Sequence, residues 1–137
     1  VIDLTSDLGI PVFVSVSAKE AGERLICLGF GCHLDPRLAI SRAITEMFQM
    51  LSRDGELADI RSHSDDLELI DWVENATLLS DPYLAADPSQ SISAGSYQDQ
   101  SSDDIAQDVR WCVDRLAQLG LETLVLNQRA LMLGFHL

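Results

Sequence analysis

Two short runs of β-branched and aromatic residues lie near the start of the sequence. Residues 10–17 include a stretch of alternating apolar and polar side chains, which predicts a strand. Residues 24–31 form a second apolar run that ends in two glycines flanking one phenylalanine, and we predict another strand there. Because only the short polar segment 19–23 separates the two runs, we expect the strands to pair antiparallel as a hairpin.

A longer run, residues 36–53, repeats apolar side chains every three or four positions. That spacing predicts an amphipathic helix. Asp35-Pro36 is a strong start signal, because aspartate caps free helical N–H groups and proline suits the first helical position. Asp54-Gly55 is the expected end. The predicted buried face consists of Ile40, Ala43, Ile44, Met47, Phe48 and Leu51.

Two further helices are predicted in the second half of the chain. Asp65-Asp66 precedes a helical pattern over residues 67–76. A third helical pattern begins near residue 102 and ends at residue 119, before the stop signal Gly120. Three large or sulfur-containing side chains lie at core spacing in these helices and are interpreted as packing residues: Trp72, Trp111 and Cys112.

The remaining segments are less regular. Residues 77–102 include a stretch rich in Ser, Gln, Asp and Gly and predict a mobile loop. Residues 121–126 predict a strand, and residues 129–137 are a candidate for one more. The elements together predict an α/β (α+β) fold, with a mixed or antiparallel sheet packed with about three helices. We expect one domain over residues 1–137, and we expect it to be part of a larger protein because the chain starts within a strand pattern.

Charge narrows the classes of partner. Acidic residues outnumber basic ones 22 to 9, for a net charge of −13, whereas nucleic acids and anionic membranes need a cationic surface. Apolar residues make up 47% of the chain, which is enough for a core and argues against disorder. The acidity is uneven, since residues 1–53 sum to −1 and residues 54–137 sum to −12. An anionic ligand is therefore expected in the first part of the chain.

Cysteine usage and the lack of targeting signals indicate a cellular compartment. The three cysteines, Cys27, Cys32 and Cys112, form no CxxC pair and leave an odd number. No run approaches the roughly 18 apolar residues of a membrane span, and no basic n-region of a signal peptide is visible. We therefore expect a reduced, cytoplasmic protein.

The polar side of the helix predicted over residues 36–53 is the most informative candidate site. Arg42, Glu46, Gln49 and Arg53 follow one another along one line of that helix. A carboxylate and an amide one turn apart can hold a divalent cation and a phosphate oxygen together, and the arginines can bind phosphate in forked geometry. The alternative is a surface ion pair between Arg42 and Glu46, worth at most a few tenths of a kcal/mol. On spacing alone, the ion pair is favoured.

Weaker candidates lie just before this helix. Gly29-x-Gly31 could turn N–H groups towards an anion, but no Lys-Ser/Thr follows it, and a bend is favoured over a phosphate loop. His33 could be a general base at the helix start, although a capping or exposed side chain is favoured. Cys27, Cys32 and His33 lack the second Cys/His pair of a zinc site.

Three blocks in fixed order resemble the YcaO family, most closely its cyclodehydratase branch, which is often labelled the SagD-like docking scaffold of bacteriocin biosynthesis. The blocks are residues 2–13, residues 29–36 (GFGCHLDP) and residues 42–49 (RAITEMFQ). Shorter matches follow at residues 72–77, 82–84 and 116–121, so that the resemblance covers residues 1 to about 128.

The resemblance implies an ATP-using enzyme that cyclises Cys, Ser or Thr residues of a ribosomal precursor peptide to azolines. The Ala-x-x-Glu-x-x-Gln motif of the family falls on Ala43, Glu46 and Gln49. By resemblance, Glu46 binds the Mg²⁺ that bridges the ATP phosphates and Gln49 contacts the same cluster. Arg42 lies outside the motif and is a further candidate for cofactor binding. With the resemblance, the functional interpretation of Glu46 and Gln49 is favoured over the ion pair.

The sequence also departs from the family pattern. A Ser-x-x-Glu-x-x-Glu-Arg helix, which forms the other half of the nucleotide site, matches nothing here, and neither does the proline-rich C-terminus used in catalysis. Residues 129–137 do not resemble the family. The resemblance therefore implies the C-terminal portion of a larger YcaO-type domain, inactive by itself.

The implied partners are a ribosomal precursor peptide, a leader-binding protein and a flavin dehydrogenase of the same bacterial pathway. The alternative function is a non-catalytic docking scaffold that binds the precursor peptide and the partner enzymes. The thioamide-forming branch of the family also stays open, because the ATP step is shared. A homo-oligomer is expected, through exposed strands or through the apolar stripe formed by Ile105, Val109, Cys112 and Leu116.

Overall fold

A three-stranded antiparallel sheet forms the centre of the first part of the chain. The computed structural model describes residues 1–17, 26–51 and 64–126. The strands are β1 (Ile2–Asp3), β2 (Val12–Ser17) and β3 (Cys27–Cys32), in the order β1-β2-β3. β2 and β3 pair antiparallel, as predicted, and the hairpin turn predicted at residues 19–23 lies outside the described residues.

The register of the sheet separates its residues into two faces. Val14 pairs with Phe30, and Ser15 pairs with Gly29. Because successive side chains of a strand point to opposite faces, the two glycines of β3 share one face with Phe13 and Ser15. This face is called the helix face below, since the first helix covers it.

The first helix, α1 (Pro36–Leu51), begins as predicted. The Asp35 carboxylate accepts a hydrogen bond from the Arg37 N–H at 2.8 Å, and the Asp35 carbonyl accepts one from the Ala39 N–H at 3.1 Å. The residues expected at its end, 52–55, lie outside the described residues.

The buried face of α1 differs from the predicted one. Ala39 and Ala43 are fully buried and Met47 is nearly so, whereas Phe48 is 58% exposed. The cause is the two glycines of β3. A Cβ on Gly31 would fall 2.6 Å from the Ala43 nitrogen, and a Cβ on Gly29 would fall 2.7 Å from the Met47 Cα. At this separation only small or unbranched side chains fit between helix and strand, and the bulky Phe48 lies outside.

A second helix, α2 (Leu67–Asn75), follows in this unit of the chain. Asp66 caps it as predicted, with its carboxylate accepting from two N–H groups. A core cluster next to this helix consists of Ile26, Ala76 and Leu84, and partly buried neighbours join it. Those neighbours include Trp72, which confirms its interpretation as a packing residue: Val16, Leu28, Trp72 and Leu78.

The segment from residue 77 to residue 101 contains three short 3-10 turns: Pro82–Leu84, Pro88–Gln90 and Ala94–Ser96. Tyr97 follows the last turn and packs edge-on against Phe13, with ring centroids 5.2 Å apart. The mobility predicted for residues 77–102 stays a prediction.

Residues 1–101 and 102–137 form two compact units, and each is described by itself. The single-domain prediction for residues 1–137 stays a prediction. In the second unit, helix α3 (Ile105–Gln118) begins a few residues later than expected, because Asp104 is the residue that caps its N-terminus. Gly120 adopts φ +76°, as expected of a residue that ends a helix.

The strand predicted over residues 121–126 is wrong. These residues form no strand, and Val125 is 90% exposed and Leu124 is 84% exposed. An apolar run becomes a strand only where another strand accepts its hydrogen bonds, and the described part of this unit provides none. The strand suggested at residues 129–137 lies outside the described residues.

Two smaller expectations concern the cysteines and the membrane. Cys27 is buried, Cys32 is exposed and Cys112 is half-buried, and the reduced state expected from their number stays a prediction. Within the described ranges, no helix combines the length and hydropathy that crossing a bilayer requires.

Candidate functional site

Glu46 lies in the C-terminal half of α1 and is half-buried. Its carboxylate oxygen Oε2 accepts a hydrogen bond from the backbone N–H of Phe30 in β3, at 2.6 Å. Charge-assisted hydrogen bonds of this kind are short and roughly twice as strong as neutral ones. The other oxygen, Oε1, has no hydrogen-bond partner among the described residues and is available to a ligand.

Arg42 lies one turn before Glu46 and also contacts β3. Its Nη1 donates to the carbonyl oxygen of Cys32 at 3.3 Å. The ion pair between Arg42 and Glu46 that the spacing favoured is not formed within the described residues, where the ion pairs involve Arg37 instead. Both side chains bind the strand rather than each other, because α1 lies close enough for each to reach the backbone.

The two backbone groups that these side chains bind lie on the free edge of β3, the side on which no strand pairs with β3 within the part of the chain that the structure describes. The His33 N–H donates to the Pro11 carbonyl on the β2 side at 3.2 Å. Peptide groups alternate along a strand, so those of Phe30 and Cys32 point away from β2. An edge strand exposes unpaired N–H and C=O groups, and here side chains of the helix above occupy part of them.

Gln49 and Arg53 complete the predicted line. Gln49 lies nearly one turn after Glu46 and is exposed, whereas Arg53 lies outside the described residues. Carboxylate and amide oxygens are hard donors of the kind that Mg²⁺ prefers. The described residues contain no group of three or more His, Cys, Asp or Glu that could enclose a metal ion. A cation held by Glu46 would therefore take most of its ligands from elsewhere, such as phosphate oxygens.

His33 contributes a hydrogen bond to the turn that precedes α1. Its Nδ1 accepts a hydrogen bond from the Asp35 N–H at 2.9 Å, which supports the capping interpretation. Asp35 in turn pairs with Arg37, whose Nε lies 3.2 Å from the carboxylate. The hydrogen bond from Arg37 holds the pKa of Asp35 below its ordinary value, and burial of the carboxyl opposes this only in part.

A cleft of about 570 Å³ lies beside β1, and sequence reasoning missed it. Asp3 and Asp87 line it together with apolar residues, among them Ile40 and Ile92, and none of the described Arg or His residues contributes to the lining. An acidic lining without a cation does not suit a polyphosphate. This cleft and the Glu46 site therefore differ in the ligands they fit.

Tyr97 forms one wall of this cleft. Its hydroxyl donates to the Asp3 carboxylate at 2.5 Å. Burial and the hydrogen bond to the Asp3 carboxylate raise the pKa of Tyr97 to about 12. Burial acts to raise the pKa of Asp3 as well, but hydrogen bonds from Thr5 and Tyr97 outweigh it and hold that pKa below its ordinary value. No sequence motif marked Tyr97, which lies in a segment of Ser, Gln and Asp residues.

Comparison with known families agrees with the architecture of α1 and β3. A family model described as YcaO cyclodehydratase, ATP- and Mg²⁺-binding, matches residues 1–137. The chain belongs to the YcaO family. The YcaO blocks quoted from the sequence thus correspond to β1 with the start of β2, to β3 and to α1. The last two of these elements build the Glu46 site.

Two solved heterocyclases resemble this YcaO chain. The heterocyclase TruD superposes with a TM-score of 0.72 at 48% sequence identity, over 92% of this chain and 17% of TruD. A heterocyclase in complex with substrate and cofactor gives a TM-score of 0.66 at 40% identity, over 86% of this chain and 16% of that protein. These neighbours confirm the predicted α+β fold with an antiparallel sheet. The chain spans about a sixth of the length of either heterocyclase.

Two further relatives carry less specific descriptions. An uncharacterized protein of Methanothermobacter thermautotrophicus is 27% identical over 125 residues, which is 88% of this YcaO chain and 32% of that protein. An uncharacterized protein in the tfuA 3′ region of Rhizobium leguminosarum bv. trifolii is 42% identical over 55 residues, 35% of this chain and 13% of that protein.

Proposed function

We propose that this chain is part of an ATP-dependent cyclodehydratase that forms azolines from Cys, Ser or Thr residues of a ribosomal precursor peptide. In this proposal α1 supplies one half of the Mg-nucleotide site. Glu46 is the Mg²⁺ ligand and Gln49 contacts the same phosphate–metal cluster. The observation that carries the proposal is the position of Glu46, held to β3 through Oε2 with Oε1 available.

The chemistry of the donors supports this assignment. The site offers one carboxylate and one amide on adjacent turns of an otherwise acidic chain, which suits a metal-bridged polyphosphate better than a bare one. When bound, ATP would supply the phosphoryl group that turns a substrate amide oxygen into a leaving group. The part of this chain is to bind the cation, through Glu46, and to keep the carboxylate oriented, through the β3 backbone.

The enzyme would act together with other proteins of its pathway. A leader-binding protein and a flavin dehydrogenase are its expected partners, in a bacterial, cytoplasmic pathway for a thiazole/oxazole-modified bacteriocin. The parts of the nucleotide site that do not match this sequence would come from other segments of the whole protein, so this chain by itself would be inactive.

The decisive experiment is a calorimetric titration of Mg-ATP into the chain and into Glu46→Gln. Glutamine keeps an oxygen that can accept from the Phe30 N–H, so the fold is retained while the charge is lost. We expect the affinity for Mg-ATP to fall at least tenfold in Glu46→Gln, or the heat of binding to vanish. Glu68→Gln, an exposed carboxylate on α2, is the matched control and should bind like the wild type. Equal binding by wild type and Glu46→Gln would exclude this site.

The acidic cleft favours one alternative, the docking scaffold. It lies along β1, which has no strand on its outer side among the described residues, and an extended peptide can add to such an edge. A scaffold would bind the precursor peptide equally well in wild type and in Glu46→Gln, with no requirement for nucleotide. Fluorescence anisotropy of a labelled precursor peptide, measured with and without Mg-ATP, distinguishes this function from the enzymatic one.

A further inference from the structure

The free edge of β3 presents two backbone groups to α1, and each binds a different side chain of that helix. This arrangement gives Glu46 and Arg42 different roles. The Phe30 N–H donates to Glu46, and the Cys32 carbonyl accepts from Arg42. The two strand groups lie two residues apart, and the two helix residues lie one turn apart. We propose that Arg42 is a positioning residue for Glu46: it fixes the β3 edge so that the Phe30 N–H orients the Glu46 carboxylate towards a cation. This inference rests on the proposed function.

The first step is the orientation of the carboxylate. A glutamate side chain on a helix surface populates several rotamers, and ordering it costs conformational entropy. The 2.6 Å hydrogen bond to Phe30 selects one of them before any ligand arrives. It also engages only Oε2, so the negative charge remains and Oε1 is left for the cation. Carboxylates that ligate metals are commonly held in this way by an outer hydrogen bond.

The second step is the role of Arg42. The N–H of Phe30 points at Glu46 only while the edge of β3 keeps its distance and twist relative to α1. Gly29 and Gly31 let the two backbones touch, but they act on the helix face and leave the edge itself free. Arg42 is the described side chain that ties this edge to α1 beyond Glu46, through the Cys32 carbonyl at 3.3 Å.

This role differs from the one suggested by the sequence, in which Arg42 binds phosphate in forked geometry. A phosphate ligand would need the guanidinium to face the nucleotide. In the structure the guanidinium donates to a backbone carbonyl, where one donor is enough and the forked shape is not used. The two roles therefore predict different results for lysine, which supplies a single point donor.

The test is ¹H–¹⁵N NMR of the labelled chain, observing the Phe30 amide. We expect a strongly downfield amide proton in the wild type, because the bond to the carboxylate is short. Arg42→Ala should move this signal upfield, Arg42→Lys should restore it at least in part, and Arg110→Ala, which removes the same charge from an exposed position of α3, should leave it unchanged. An unchanged Phe30 signal in Arg42→Ala would overturn the inference.

The second readout is cation binding without nucleotide. Mn²⁺, a paramagnetic substitute for Mg²⁺, should broaden the Phe30 amide selectively, and Arg42→Ala should need about tenfold more Mn²⁺ for the same broadening. Equal Mn²⁺ dependence in Arg42→Ala and wild type, or no broadening near Phe30, would overturn the inference. Loss of Mg-ATP binding together with normal Mn²⁺ binding would instead indicate direct phosphate contact by Arg42.

The two proposals fail in distinguishable ways. If Mg-ATP binds in a Glu46-dependent manner while the Phe30 signal ignores Arg42, only the positioning role is lost. If Mn²⁺ and Arg42 act on Phe30 as expected but Mg-ATP binds equally to wild type and Glu46→Gln, the nucleotide role proposed for Glu46 is lost and the positioning role stands.

Discussion

The two faces of the small sheet are packed by different means. On the helix face, the two glycines of β3 lie against Ala39 and Ala43 of α1, and backbone meets backbone. On the other face, larger side chains fill the space, including Ile26, Leu28 and Leu84. Close backbone contact leaves no side chain that can move aside, whereas aliphatic side chains can change rotamer. The helix face, which α1 and its Glu46 cover, thus tolerates added side-chain volume less than the other face does.

The largest expected effect is on the helix face. Gly31→Ala would place a Cβ 2.6 Å from the Ala43 nitrogen and closer still to the Ala39 carbonyl oxygen. Because those atoms are backbone, α1 itself must shift, and we expect a loss of about 3 kcal/mol or more in the free energy of unfolding. Chemical denaturation measures it. Gly95→Ala, whose Cβ would meet only the Ser93 Oγ at 3.7 Å, is the control and should change little. Equal stability of the two variants would refute the contrast between the faces.

The next effect is on the other face. Leu84 is 8% exposed and packs with Ile26 and Ala76. Leu84→Ala should cost about 2 kcal/mol in the free energy of unfolding, at the low end for core truncations, because the neighbouring side chains can partly fill the space. Leu79→Ala, at a 72% exposed leucine, should cost about 0.5 kcal/mol or less. A cost for Leu84→Ala as large as that of Gly31→Ala would mean that both faces are equally rigid.

A smaller effect is expected at the margin of the helix face. Tyr97→Phe removes the hydrogen bond to the Asp3 carboxylate but keeps the ring against Phe13. We expect a loss of about 1 kcal/mol at neutral pH. Tyr83→Phe, at a 69% exposed tyrosine, is the control and should be neutral. Should both variants unfold alike, the contact between Tyr97 and Asp3 contributes nothing to stability.

The smallest effect appears at alkaline pH. The pKa of Tyr97 is raised to about 12 from an ordinary value near 10, so the folded state holds its proton more tightly than the unfolded state. The stability that results is fully present below pH 10 and is lost as the pH rises from 10 towards 12. Tyr97→Phe should remove this part of the alkaline decline in melting temperature, and Tyr83→Phe should not. An identical pH dependence in Tyr97→Phe and wild type would contradict the raised pKa.

Much of the fold could be predicted because the signals are local. Asp35-Pro36, Asp66 and Gly120 start or end helices through contacts within a few residues, and the structure places each where it was expected. The bend favoured for Gly29-x-Gly31 is wrong, since both glycines lie inside β3 and pair with β2. Their function is to admit α1, and that depends on a partner distant in sequence.

The wrong predictions also concern features that depend on partners distant in sequence. The periodicity of α1 placed Phe48 on the buried face, but the helix is rotated so that alanines contact the glycines, a choice that only the paired surfaces determine. The run 121–126 is apolar, yet strand formation needs a neighbour that the local sequence does not reveal. For the candidate site, the resemblance to the family motif singled out Glu46 and Gln49, and their roles stay a prediction. The link from Glu46 to the Phe30 N–H joins residues sixteen apart and left no pattern in the sequence.

The glycine contact also has a mechanical consequence. Where side chains separate two elements, each can move slightly while rotamers absorb the difference. No layer of side chains separates β3 from α1 at Gly29 and Gly31. A displacement of the strand therefore acts directly on the helix backbone. A ligand or a neighbouring segment that displaces β3 would therefore displace α1 and Glu46 as well.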